Sequence, residues 1–134
     1  MKTTSDILDR LYPILAVKDI LSLIDGRVYR RKRPVNSRSK DIELNCLPIN
    51  GGEGLDIQSA LVIVNIYAHN YDNGMPDEKT LNTVSAAVIA KLEAYAGLTT
   101  EYFEIDVRSE TIMQDIDDPM FSYASIRILC TIEY

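Results

Sequence analysis

The side chains best suited to chemistry are few and poorly grouped. His69 is the single histidine of the 134 residues. Neither Cys46 nor Cys130 shares its face in the strand pattern described below, so a zinc site or a Cys–His dyad lacks ligands. The two cysteines stand outside any Cys-x-x-Cys spacing. They read as buried, reduced thiols, with a disulfide between neighbouring strands as the other reading. Gly51-Gly52-Glu53-Gly54 has the glycine content of a phosphate cradle. Such a cradle needs a helix N-terminus after it, and the next residues alternate like a strand, which predicts a hairpin loop. Asp115, Asp117 and Asp118 before Pro119 could face a cation, but the spacing lacks the glycine and terminal glutamate of a calcium loop. A solvated turn is the expected structure there. No serine occupies a Gly-x-Ser-x-Gly elbow. The expectation is therefore a non-enzyme with no catalytic residue, no metal and no cofactor.

The charge distribution carries the one anomaly. The chain has 14 basic and 20 acidic residues, a net charge of −6. Seven of the cations (Arg27, Arg30, Arg31, Lys32, Arg33, Arg38 and Lys40) fall within residues 27–40, which hold no acid. The remainder carries seven basic against twenty acidic side chains, a balance of −13. Three readings fit this segment: a solvated hairpin arm at about residues 30–40 whose like charges protect an edge strand, a docking surface for an acidic partner such as another copy, or contact with phosphates. The acidic balance argues against nucleic acid and anionic membranes as partners.

These residues must be held by elements legible from periodicity. Ser5 and Asp6 can start a helix. Ile7, Leu8, Leu11 and Leu15, then Ile20, Leu21 and Ile24, recur at helical spacing, interrupted by Pro13, which predicts a kink or two short helices. Asp25-Gly26 stops the pattern. Period-two alternation follows over residues 27–31, 41–47, 59–69, 102–109 and 122–134. Between the third and fourth of these, Pro76-Asp77-Glu78 opens a helix bearing Leu81, Val84, Val88, Leu92 and Tyr95, closed by Ala96-Gly97. The order α-β-β-β-α-β-β predicts one α+β domain over residues 1–134. It is a two-layer sandwich with a mostly antiparallel sheet of four to five strands and two helices on one face. The other sheet face is mixed, with Ile63, Tyr67, Tyr123 and Leu129 among polar residues. No run is long and apolar enough for a membrane span or a signal sequence, which predicts a soluble intracellular protein.

Three stretches carry a family resemblance. The first runs from Leu11-Tyr12-Pro13-Ile14-Leu15 through Ile20 and Ile24 into Asp25-Gly26-Arg27-Val28-Tyr29. The second is Val62-Ile63-Val64-Asn65-Ile66-Tyr67. The third is the helix from Leu81 to Leu92 with two long strands after it. With these, nearly the whole chain resembles the tail-completion, or tail-terminator-like, proteins of long-tailed bacteriophages and prophages, including head-to-tail joining proteins. It departs from them at Ser39-Lys40-Asp41-Ile42-Glu43-Leu44, where many relatives carry a Pro-Tyr-hydrophobic stretch.

The resemblance implies a structural protein without catalytic residues. Similar proteins form a ring, commonly of six copies, at the head-proximal end of the tail tube, in contact with tail-tube and head-connector proteins. The implied location is the host cytoplasm during assembly and then the virion tail. Rings need two different complementary patches on one subunit. The residues expected to supply them are Arg30, Arg31, Lys32, Arg33, Arg38 and Lys40 on the arm, and Ile63, Tyr67, Tyr123 and Leu129 on the mixed face. The competing functions are a nucleic-acid-binding module using the basic arm, and a small ligand-binding domain whose site forms at a subunit boundary.

Overall fold

The computed structural model describes residues 1–49, 57–95 and 102–133. Its elements are α1 (Thr4–Leu15), α2 (Lys18–Leu21), β1 (Val28–Arg30), β2 (Ile42–Cys46), β3 (Ile57–His69), α3 (Glu78–Glu93), β4 (Phe103–Gln114) and β5 (Phe121–Glu133). The strands form one five-stranded sheet in the order β1-β2-β3-β5-β4. The α+β two-layer architecture is the expected one.

Thr3, not Ser5 or Asp6, caps α1. Its side chain accepts from the Asp6 N–H, while the Asp6 carboxylate accepts from the Thr3 N–H at 2.7 Å, a reciprocal capping box. Ile7, Leu8, Leu11 and Leu15 are its buried stripe. Burying each stabilises the fold by about 1.5–3 kcal/mol. The helix continues through Pro13 and closes with the Ala16 N–H donating to the Tyr12 carbonyl. Val17 is extended, and α2 starts afresh at Lys18. The two short helices expected here are present, but the break falls at Ala16–Val17, after the proline, rather than in the preceding turn that its ring restricts.

α3 is capped by Asp77, whose carboxylate accepts from the Thr80 N–H and hydroxyl. Leu81, Val84, Val88 and Leu92 point into the core. The helix ends at Glu93. The expected Ala96-Gly97 stop and the loop at residues 50–54 lie outside the described residues.

The core lies between these helices and one sheet face. That face is built from Ile42, Leu44 and Cys46 on β2, the even-numbered residues Ala60 to Ala68 on β3, and Ala124 to Ile132 on β5. Cys46 and Cys130 are both buried and free. Burial pushes the Cys130 thiol up to about 12, with a smaller contribution from nearby Cys46.

β3 and β5 pair antiparallel over thirteen positions, from Ile57↔Glu133 to His69↔Phe121. β4 pairs with β5 through a shift between Val107 and Ser109. The extra residue, Arg108, exchanges the faces, so beyond it the even-numbered Glu110 and Ile112 stand opposite core residues Ile126 and Ala124, and Ile112 packs against the core. The strand therefore extends five residues beyond its expected end at Ser109.

One topological expectation is corrected. β1 and β2 pair in parallel, with Val28↔Ile42 and Arg30↔Leu44 in register. Residues 31–41 are therefore not a hairpin arm. Parallel strands cannot be joined by a tight turn, and the segment is a crossover. It leaves β1 at Arg31, which takes a left-handed backbone (φ 86°). It then returns over the sheet face that bears no described helix.

Candidate assembly surface

The crossover is anchored to that open face by a buried polar cluster. Arg33 is only 8% exposed, and Asp41 is fully buried. The guanidinium lies over the Tyr67 ring at 3.9 Å and the Phe121 ring at 4.6 Å from their centroids. Its Nη1 donates to the Ser39 carbonyl at 3.3 Å and reaches Asp41 Oδ2 at 3.5 Å. Its Nη2 stands 3.8 Å from Asp115. Glu43 accepts from the Arg33 N–H at 2.7 Å with one oxygen and from the Tyr67 hydroxyl at 2.9 Å with the other. Burial, and then the Glu43 charge, push the Tyr67 phenol well above its ordinary value, so it stays a hydroxyl donor.

Asp41 closes the far end of the crossover. Its Oδ1 accepts from the Arg27 N–H at 3.1 Å, and its Oδ2 accepts from the Ser37 hydroxyl. Gly26 is required beside it. A Cβ there would sit 1.9 Å from Asp41 Oδ1 and 2.5 Å from the Lys40 carbonyl oxygen.

The ten residues expected to form contacts are placed as follows. Arg30 pairs with Asp9 of α1 and lies over the Tyr12 ring. Arg31 donates to the hydroxyls of Thr4 and Ser5. Arg38 pairs with Asp118 at 2.6 Å. The Lys40 N–H donates to Asp25. Lys32 is exposed at the mouth of a cavity of about 540 Å³ between the crossover and the β4–β5 turn. Arg33 and Tyr67 differ from the expectation of exposed side chains, because each is buried against the other. Tyr123 packs on Tyr67 with ring centroids 5.3 Å apart. Ile63 and Leu129 remain half-buried on the uncovered part of the face. The arm's arginines are thus largely engaged by the chain's own acids and hydroxyls, leaving few cations for phosphates.

Two features escaped the sequence reading. Asn70, just past β3, is 5% exposed and fixes the β4–β5 turn. Its N–H donates to the Met120 carbonyl at 2.8 Å, its Nδ2 to the Pro119 carbonyl at 3.1 Å, and its Oδ1 accepts from Ser122 at 2.6 Å. The acidic turn so held is more than a solvated loop. It meets the crossover through Arg33–Asp115 and Arg38–Asp118, and projects Ile116 at 95% exposure. Val35 on the crossover is 83% exposed. The signal for this docking was Asp41-x-Glu43, the first acids after seven cations.

His69, at the end of β3, is exposed; its Nδ1 lies 2.7 Å from the Asn70 carbonyl oxygen and its ring packs edge-on against Phe121. Among the described residues no group of three His, Cys, Asp or Glu side chains converges to hold a metal ion. Among the same residues no helix is long and apolar enough to cross a membrane.

No protein-family model and no curated protein sequence matches this chain. Solved structures do match its fold. One is a chain of the virion of a native gene transfer agent particle, 11% identical, with a TM-score of 0.65 over 92% of each chain. At that identity the likeness establishes a shared fold, spanning both the sheet and the helices that cover it.

Proposed function

We propose that this chain is a structural subunit of a phage-like virion rather than an enzyme, and that it acts in tail completion. In this reading copies of the chain form a ring at the head-proximal end of the tail tube, where the ring supports joining of the head. The observation that carries the reading is the fold shared over 92% of both chains with a component of a gene transfer agent virion. The uncovered sheet face supports it independently. Ile63 and Leu129 are half-buried apolar side chains on the sheet face away from the helices, where a partner can pack.

The test is multi-angle light scattering of the purified chain at micromolar concentration in low and high salt, alone and with the tail-tube protein of the same particle. Defined oligomers, or stoichiometric capture on the tube, are expected. A strict monomer in every condition that leaves the tube unaltered contradicts the proposal.

A further inference from the structure

The sheet carries two surfaces that match each other but lie too far apart to meet within one chain. The first is the promontory formed by the crossover and the β4–β5 turn, tipped by Ile116 and Val35 and carrying exposed Asp117. It is a preset shape, because Asn70, Arg38–Asp118 and Arg33–Asp115 hold both loops. The Asp117 N–H bonds to the Asp115 carboxylate at 3.1 Å, while the Asp117 carboxylate has no ion pair among the described residues. The second surface is the far part of the open face, where Leu61 pairs with Leu129 and Ile63 with Arg127. Leu61, Ile63 and Leu129 are half-buried, and Arg127 is exposed among them without an ion pair to any described residue. An unpaired cation in an apolar patch is complementary to an apolar tip with an unpaired acid.

Arg127 is six residues along β5 from Phe121, where the turn is anchored. At the rise of a strand that separation is about 20 Å, so the tip cannot reach its own patch. A second copy can supply it. Such a contact is heterologous, and repeating it yields a ring if the rotation closes and a fibre if it does not.

We infer that the Ile116–Asp117 tip of one copy docks on the Leu61–Ile63–Arg127–Leu129 patch of the next. The inference rests on the assembly proposed above and names the contact that drives it.

Cysteine pairing tests it in the full chain, since the native thiols are buried. The Ile116→Cys/Ile63→Cys double variant should give, under mild oxidation, a ladder of disulfide-linked dimers, trimers and higher species. Ile116→Cys/Thr83→Cys, with the second cysteine exposed on α3, is the control. Cross-linking no greater than in the control overturns the inference. Charge exchange gives a second reading. Asp117→Arg and Arg127→Asp should each weaken self-association about 10-fold or more, and the double exchange should recover it. Single variants that associate like the parent also overturn it. Electron microscopy of the same samples separates the two levels. Closed rings without the Ile116–Ile63 cross-link remove this contact and leave the ring proposal standing. A cross-linked ladder that runs into open fibres supports the contact and removes the ring.

Discussion

Replacing Arg33 with methionine removes its charge while keeping most of the apolar stem between Tyr67 and Phe121. Arg33 is 8% exposed and Asp41 fully buried, so the change strands a carboxylate in the protein rather than on its surface. Breaking a buried pair by removing one partner costs about 3–5 kcal/mol. Asp41 keeps its bonds from the Arg27 N–H and the Ser37 hydroxyl, which place the cost near the lower end, about 3 kcal/mol. A domain of this size stands only about 5–15 kcal/mol above its unfolded state, and 3 kcal/mol lowers Tm by roughly 12 °C. Urea unfolding followed by circular dichroism measures the loss, and an unchanged m-value shows that the same surface unfolds. Adding Asp41→Asn should cost less in the Arg33→Met background than in the parent, with a coupling of about 1–3 kcal/mol. A loss below about 1 kcal/mol for Arg33→Met, with no coupling to Asp41, would refute the view that this cluster fixes the crossover.

Gly26→Ala drives a methyl into Asp41 and the Lys40 backbone; a loss of about 2 kcal/mol or more in the same urea assay is expected. Arg38→Ala removes an ion pair whose arginine is 68% exposed, so it should cost at most about 1 kcal/mol despite the 2.6 Å distance. Raising the pH should destabilise the fold. The Cys130 thiol is held at about 12 in the folded chain against an ordinary value near 9, so its contribution is full below pH 9 and is lost as the pH climbs toward 12. Urea midpoints at pH 7 and pH 10 check the sign, and a higher midpoint at pH 10 contradicts it. A thiol reagent at pH 8 should label neither Cys46 nor Cys130 until urea unfolds the protein, because both are buried.

Alternation made most of the fold readable. β2, β3 and β5 each show one apolar side, as does β4 up to Val107, and α3 announces both its proline-acid start and its stripe. The crossover was not readable, because a three-residue β1 followed by eleven mostly polar residues fits a hairpin as well as a parallel return. Only pairing with β2 decides between them, and that pairing depends on Asp41 and Gly26 meeting in space. The end of β4 was hidden for a different reason. The bulge at Arg108 shifts the phase by one residue, so Ile112 falls out of step with Phe103, Ile105 and Val107. On the surface, the sequence marked the seven cations but not their engagement. Arg30 reaches Asp9 across 21 residues and Arg38 reaches Asp118 across 80. Contacts at such separations leave no periodic trace. The segregated charge is therefore largely an internal lock between the crossover, α1 and the acidic turn. The charges left for a partner are fewer, with Arg127 and Asp117 foremost.

As proposed, this chain forms a ring at the end of a virion tail. Electron microscopy of the purified full chain, mixed with the tail-tube protein of its own particle, tests it most directly. Closed rings of a single copy number seated on tube ends are the predicted image. Bare tube ends beside a monodisperse monomer would contradict it.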